Sequence, residues 1–490
     1  MSPVSATDPS ILRDLLVSRA SSDPDALAFD DGRRRVTYAE LAESAAAKAA
    51  RLASLGVRPG DRVALVMSAG VAWAEAFWGA QLLGAASAAF NPRLPASTLE
   101  RQAARVRPRL VLTDDSLDSA PMATMPPEPP IGSDDLAFLQ PTSGTSGEPR
   151  AAMLLHRNVI AYLRADSHEW AHRGDVFVAW VPPWHDMGLV RFIIGGVAHG
   201  VECHIVQPAI STIPLFLETI SRVHGTLIAA PDFAYRLAPK MMKPGSVDIT
   251  SLRSAGNGGE PVNSSSVERF EEAFGLSGVV QPGYGLAEAT LGVSMHPAGE
   301  PLIIDHRGHV SNGPLRDGTE ARAEGDPDSP GEILLRGDSI FAGYFDAPDD
   351  TAAALGDGWL HTGDVGYLDD EQRLFVLGRT RAMIKRAGGP VAPRELEEAA
   401  QAVPGVRLAA AVGMPDAAGI TETALLAIED ERAGSADEPA VAAEVSRAVA
   451  AAAGFAPGRV VVLAPRTIPR TPSGKVRHVH LREMLLSPAA

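Results

Sequence analysis

Short apolar segments alternate with stretches of helical periodicity from residue 62 to residue 281. The apolar segments fall at 62–67, 110–113, 176–180, 202–206, 227–230 and 279–281, and Val71–Leu83 reads as a helix. Isolated short strands separated by helices predict an α/β fold with largely parallel sheets. Before them, residues 11–55 read as two amphipathic helices around a short strand pair at 26–30 and 35–37. After Gly378-Arg379 the pattern restarts. A helix is expected at 393–402, strands at 406–414 and 424–429, an Ala-rich helix at Glu438–Ala453, a strand at Arg459–Leu463 and then a last helix. At 490 residues the chain exceeds the usual single core. The expected division is 1–380 and 381–490, the second being a unit of about 110 residues with its own core. Residues 117–133, rich in Pro and Met, and the polar 322–330 read as surface connections.

Composition narrows the function classes. Acidic residues number 60 against 44 basic ones, a net charge of −16, which disfavours nonspecific nucleic-acid binding. The one cysteine, Cys203, sits in the run Val201-Glu202-Cys203-His204-Ile205-Val206. That excludes an intramolecular disulfide or a thiolate metal cluster and reads as a strand residue rather than a nucleophile. The start of the chain, with Asp8, Arg13 and Asp14, lacks the apolar run of a signal peptide, and no apolar stretch of about 20 residues offers a membrane span. A cytoplasmic enzyme is the expectation.

The decapeptide Pro141-Thr142-Ser143-Gly144-Thr145-Ser146-Gly147-Glu148-Pro149-Arg150 follows the apolar Leu136-Ala137-Phe138-Leu139. Its glycines permit tight turns and close approach of a ligand to the backbone. Its hydroxyls and N–H groups offer donors, and Arg150 can pair with phosphate oxygens. It is not a P-loop, because no Lys-Ser/Thr pair follows a Gly at the required spacing. The competing reading is a polar surface loop.

A whole series of motifs accompanies this loop: Thr37-Tyr38-Ala39-Glu40-Leu41, Gly258-Gly259-Glu260-Pro261, Tyr284-Gly285-Leu286-Ala287-Glu288-Ala289-Thr290, Gly331-Glu332-Ile333, His361-Thr362-Gly363-Asp364, Gly378-Arg379 and Thr471-Pro472-Ser473-Gly474-Lys475. In content and order the series resembles the adenylate-forming superfamily of acyl-CoA synthetases, peptide-synthetase adenylation domains and luciferases. The resemblance implies a large N-terminal domain of stacked mixed sheets with helices, and a small mobile C-terminal α/β lid hinged near residue 382. It implies ATP and Mg²⁺ as cofactors. Thr142, Ser143, Gly144, Thr145, Ser146, Gly147 and Arg150 then correspond to the phosphate loop, and Gly258, Gly259, Glu260, Tyr284 and Gly285 to the adenine pocket. Asp364 and Arg379 correspond to the ribose-binding pair, Glu288 to the Mg²⁺ ligand, and Lys475 to the adenylation lysine. One carboxylate suffices for Mg²⁺, which otherwise takes phosphate oxygens and water.

Pro182-Pro183-Trp184-His185-Asp186-Met187-Gly188-Leu189 resembles the corresponding motif of the fatty acyl-AMP ligase branch, which lines its acyl tunnel with it. With no second His at helical spacing, a metal site there is disfavoured. Lys475, Glu288, Thr142 and His185 are the catalytic candidates. His185, Asp186, Met187, Phe192, Phe233, Gly259 and Gly285 are the candidates for the substrate pocket, and Trp184 and Ile193 stand beside them. Such apolar residues suggest a bulky or long hydrocarbon, although they more often pack cores.

Some features depart from the superfamily. Arg150 replaces a lysine, Ala382 stands at the hinge motif, and Pro390 stands where asparagine is common. Residues 295–311 look like a shortened form of the segment that restrains the lid in acyl-AMP ligases. The expected activity is Mg·ATP-dependent conversion of an apolar carboxylic acid to its acyl-adenylate, with weak transfer to CoA. The acceptor is CoA as a co-substrate or a separate acyl carrier protein, with no nucleic acid and no membrane span involved. A complete acyl-CoA synthetase and an inactive nucleotide-binding regulatory protein are the alternatives.

Overall fold

Thr37 begins the first long helix by a reciprocal exchange. Its hydroxyl accepts from the Glu40 N–H, and the Glu40 carboxylate accepts from the Thr37 N–H at 2.8 Å. The helix Tyr38–Ser54 then buries Leu41, Ala45, Ala49 and Leu52 along one face. Its partner, Val71–Leu83, is buried almost all round. The two cross closely because Gly79 has no side chain: a Cβ there would lie 2.8 Å from the Lys48 Cβ and 3.0 Å from the Ala45 carbonyl.

The computed structural model describes residues 9–116, 130–142, 149–166, 171–172, 174–243, 245–323, 325, 329–386, 389–415, 421–470 and 476–486. By its contacts the chain divides into two compact units, 1–321 with 335–361, and 322–334 with 362–490. Among the described residues, no helix is long and apolar enough to cross a membrane.

The larger unit holds two sheets. One runs in the order Leu110–Leu112, Arg62–Leu65, Ala86–Ala89, Leu136–Thr142, Arg150–Leu155, parallel except for the antiparallel last pair. The other has eight strands in the order Gly292–Met295, Val280–Gly285, Ser254–Asn257, Leu227–Ala230, Val176–Ala179, Glu202–Ile205, Leu27–Asp30, Arg35–Thr37. Its interior is parallel and its two ends are antiparallel. Both are largely parallel sheets of an α/β protein, as the alternation of segments predicted, with antiparallel pairs at their ends. Cys203 is a buried strand residue whose thiol is pushed up in pKa by burial, with Glu202 adding to the shift.

In the smaller unit, Leu408–Pro415 pairs antiparallel with Glu422–Glu429, which pairs parallel with Arg459–Leu463. Val441, Val445 and Val449, one turn apart on Glu438–Ala453, pack with Leu396 and Ala400 of Pro393–Gln401 in one core. Leu481 and Leu485 of His478–Leu486 pack with Ile468 in a second.

Several elements differ from the sequence reading. Ser254–Asn257 was not evident, because Ser-Ala-Gly-Asn has none of the residues that favour strands. It is extended because parallel neighbours pair on both sides of it. The strand expected at 279–281 runs as Val280–Gly285, through Pro282. Met187–Ile194 is a π-helix, a rare form.

His156 begins the helix His156–Asp166, and its Nδ1 accepts from the Leu12 N–H at 3.2 Å. Burial lowers its pKa from 6.5 to about 4, with Asp135 opposing and Arg13 reinforcing the shift. The unfolded chain therefore binds the extra proton between these values. Stability should fall as pH drops from about 6.5 to about 4, by roughly 3 kcal/mol from this group. Urea unfolding of the wild type and of His156→Gln across this window should give a shallower pH slope for the variant.

Candidate active site

The strands Leu136–Thr142 and Arg150–Leu155 form a hairpin whose last register pair is Thr142 opposite Arg150. Ser143, Gly144, Thr145, Ser146 and Gly147, between them, lie outside the described residues. Arg150 begins the second strand of the hairpin. Its Nη2 meets Asp350 Oδ1 at 2.5 Å, and its guanidinium carbon stands 5.1 Å from the centre of the Tyr344 ring. Tyr344 lies alongside the hairpin edge because Met153 exchanges backbone hydrogen bonds with Gly343 and Ala342. Its hydroxyl donates to Glu288 Oε1 at 2.7 Å. Burial, then the charge and hydrogen bond of Glu288, push the Tyr344 phenol up in pKa, so it remains a donor. One tyrosine thus touches both the candidate phosphate cation and the candidate metal ligand.

Glu288 stands in a short helical turn, Ala287–Ala289. The next residue, Thr290, has φ +71°, a strained conformation for a β-branched side chain. Its hydroxyl donates to the Ser339 carbonyl at 2.7 Å, and the Glu288 carbonyl accepts from the Phe341 N–H at 2.8 Å. These contacts hold the turn. Gly285 is obligatory, since a Cβ there would lie 2.0 Å from the Leu291 carbonyl oxygen.

The other candidate nucleotide residues lie where the parallel strands Ser254–Asn257 and Val280–Gly285 end. A Cβ on Gly258 would lie 3.0 Å from the Gly283 carbonyl, so this wall is bare backbone. Gly259 has φ +82°. Glu260 Oε1 accepts from the Phe233 N–H at 2.6 Å, in the first turn of Asp232–Met241, where a carboxylate is favoured. Tyr284 continues the same strand and is half-buried. Beneath this turn, buried Asp232 accepts from Asn257 Nδ2 at 3.0 Å, Asn263 N at 3.1 Å and Ser266 Oγ at 2.9 Å.

At the substrate-pocket motif, His185 Nδ1 lies 2.5 Å from Asp186 Oδ1. Asp186 also accepts from the Met187 N–H at 2.7 Å and so begins the π-helix. A Cβ on Gly188 would lie 2.0 Å from the Pro182 carbonyl oxygen, which explains the glycine. The Met187 methyl lies 3.8 Å from the Cβ position of Gly258, which brings this motif to the candidate nucleotide wall. Phe192, by contrast, is fully buried and edge-on to Phe177, and Phe233 packs edge-on against Trp180. Phe192 is therefore a core side chain in this structure.

The smaller unit carries the remaining candidates. Asp364 and Arg379 face each other across an antiparallel ribbon, with Arg379 Nε 2.9 Å from Asp364 Oδ1. Arg379 Nη1 also donates to the Thr362 carbonyl at 3.0 Å. Lys475 lies outside the described residues, but its flanks are pinned. Arg470 and Val476 form an isolated antiparallel bridge, and buried Glu429 accepts from the Ile468 N–H at 2.9 Å and from Arg470 at 3.1 Å.

Residues 16–345 match the family described as AMP-binding enzyme. The chain belongs to that family. A Mycobacterium tuberculosis protein named as a ligase is 35% identical over 393 residues, 71% of this chain and 72% of its own. The feruloyl-CoA synthase of an Amycolatopsis species is 31% identical over 438 residues, 82% of this chain and 85% of its own. A solved structure from a study of fatty acyl-adenylate ligases of E. coli and L. pneumophila superposes with a TM-score of 0.86 at 26% identity, over 98% of both chains. The protein is thus an AMP-binding enzyme of the ligase class, with the adenylate-forming fold of a large N-terminal and a small C-terminal domain.

Sequence reasoning missed Tyr344, Asp350 and Asp232, none of which stands in a motif singled out for chemistry. Tyr344→Phe removes a buried donor from a carboxylate and should cost about 1–3 kcal/mol of stability. Asp350→Asn breaks a more exposed pair and should cost under about 1 kcal/mol. Urea titrations of the two variants should rank them in that order.

Proposed function

We propose that this AMP-binding enzyme uses ATP to convert a carboxylic acid to its acyl-adenylate, for passage to a thiol. A carboxylate is a poor acyl donor, because its leaving group would be oxide. In adenylation one carboxylate oxygen forms a bond to the α-phosphorus, the bond to the β-phosphate oxygen breaks, and pyrophosphate leaves with its electron pair. Two anions must meet, so positioned positive charge governs the rate.

The observation that carries this reading is the linked set Arg150, Tyr344 and Glu288 at the base of the candidate phosphate hairpin. Arg150 is a half-buried guanidinium suited to phosphate oxygens. Glu288 keeps one carboxylate oxygen beyond the one that Tyr344 engages, and a single Glu suits Mg²⁺ carried in with a nucleotide. Magnesium held there would neutralise charge on the phosphate oxygens. Asp364 presents a carboxylate able to accept hydrogen bonds from ribose hydroxyls, oriented by Arg379. Residues 381–490 act in this reading as the lid, pivoting near Ala382 and bringing Lys475 to the reacting carboxylate. His185, Asp186 and Met187 border the acid.

Lys475→Ala should lower acid-dependent pyrophosphate release by about 10²–10³-fold with the fold intact. Asp364→Ala should act mainly on the KM for ATP, and Glu288→Ala mainly on turnover at saturating Mg²⁺. Absence of pyrophosphate release with every acid of a broad panel would favour a nucleotide-binding regulatory protein instead.

A second reading, a complete acid–CoA ligase, is favoured by two observations. One is the 31% identity to a feruloyl-CoA synthase. The other is the segment 303–311, which closes on itself through an Ile304–Val310 bridge and a 2.8 Å contact of His309 with Asp305, while Val310 packs in the core of the larger unit. A segment so engaged has little free length with which to restrain a lid. Single-turnover transfer from preformed acyl-AMP separates the readings. A rate with CoA equal to that of adenylation supports the ligase, and fast transfer only to a carrier protein supports the acyl-AMP ligase.

A further inference from the structure

The candidate phosphate cation already holds an anion of the protein's own. Arg150 Nη2 meets Asp350 Oδ1 at 2.5 Å. Nε, the other donor on that edge of the guanidinium, is buried and has no hydrogen-bond partner among the described residues. Arginine engages a carboxylate or a phosphate best through two parallel N–H···O bonds, so this pair uses half of the fork. The pair also reaches solvent, its two side chains being 17% and 39% exposed.

Asp350 is placed from its own side, in the first turn of Pro348–Ala354. The next residue, Thr351, accepts from the Tyr344 N–H at 2.8 Å and donates to the Ala347 carbonyl at 2.9 Å. A Cβ on Gly343 would lie 2.5 Å from the Thr351 methyl, so the chain turns tightly there. The same turn carries Tyr344, whose ring centre lies 5.1 Å from the Arg150 guanidinium carbon. The backbone thus sets an anion and an aromatic face on one cation, and the more exposed Asp350 carboxylate can turn into solvent.

A carboxylate oxygen and a phosphate oxygen are alternative acceptors for the same donors. A triphosphate carries more charge and can take both donors of the edge, so it displaces the carboxylate, and the free energy of the broken pair is subtracted from its binding. We propose that Asp350 is a positioning residue that stands in for phosphate on Arg150: it holds the cation at the hairpin edge, yields to ATP, and returns to Arg150 as pyrophosphate leaves. It therefore weakens the grip on ATP and on pyrophosphate alike and eases release of the product. This rests on the reading that Arg150 meets the phosphates of ATP.

The test measures calorimetric binding of Mg·ATP and of pyrophosphate, and the KM for ATP, in wild type, Asp350→Asn and Asp350→Glu, each checked for folding by circular dichroism. Asp350→Asn is then repeated in an Arg150→Met background. In Asp350→Asn both dissociation constants should fall by about two- to fivefold, the worth of one part-exposed ion pair. Asp350→Glu, which keeps the anion, should stay near wild type. With Arg150→Met the gain should vanish, because the exchange runs through that cation. A purely structural role for Asp350 predicts the opposite sign, a raised KM for ATP in Asp350→Asn. Raised or unchanged dissociation constants in Asp350→Asn, or an equal gain in the Arg150→Met background, overturn the proposal and leave acid activation standing wherever acyl-AMP still forms. Tighter ATP binding that depends on Arg150, with no acyl-AMP formed from any acid, supports the exchange and refutes adenylation. Should Asp350→Asn fail to fold, Asp350→Ser is read by the same criteria.

Discussion

The hydrogen bond from Tyr344 to Glu288 ties together parts of the chain that are distant in sequence. Glu288 belongs to the turn after Val280–Gly285, while Tyr344 lies against the edge strand Arg150–Leu155. Arg150 on that strand stacks on the same ring. This junction adds a side-chain link to the backbone bonds of Phe341 with Glu288 and of Gly343 and Ala342 with Met153, which already join the hairpin to the turn that carries the candidate metal ligand. A carboxylate, a phenol and a guanidinium in contact also balance charge. The anion is stabilised by a donor, and the cation by an aromatic face and by Asp350.

Close backbone approach does comparable work nearby. Gly285 meets the Leu291 carbonyl, Gly258 meets the Gly283 carbonyl, and Gly188 meets the Pro182 carbonyl. At each of these positions any side chain would force neighbouring backbone apart. Asp232 sits below this framework and satisfies donors from Asn257, Asn263 and Ser266, so the turn over it is held by polar contacts in a largely apolar interior.

The α/β class, the strands Leu227–Ala230 and Arg459–Leu463 and the helices Val71–Leu83 and Glu438–Ala453 were legible, because their periodicity comes from burial along one chain segment. Ser254–Asn257 and Ala86–Ala89 were not, since their small residues are strand-forming only between neighbours that the local sequence does not specify. The same holds in the site. Glu288, Asp364 and Arg379 stood out because they fall in ordered motifs. Tyr344 and Asp232 matter through contacts with segments distant in sequence, and no local spacing announces them. Phe192 had the residue type of a pocket lining, yet its place on the π-helix turns it toward Phe177 and the core.

The burial of Cys203 has a chemical consequence beyond its packing. The one thiol in the chain is inside a parallel sheet with its thiolate disfavoured, so it is a weak target for peroxide or alkylating reagents. The sulfur atoms nearest the bare strand ends are instead the thioethers of Met187 and Met295. Oxidation of either to the sulfoxide would place a polar, bulkier group beside Gly256 and Gly258, and methionine sulfoxide reductases can reverse that change. Oxidative change beside these strand ends would therefore fall on methionine rather than on cysteine.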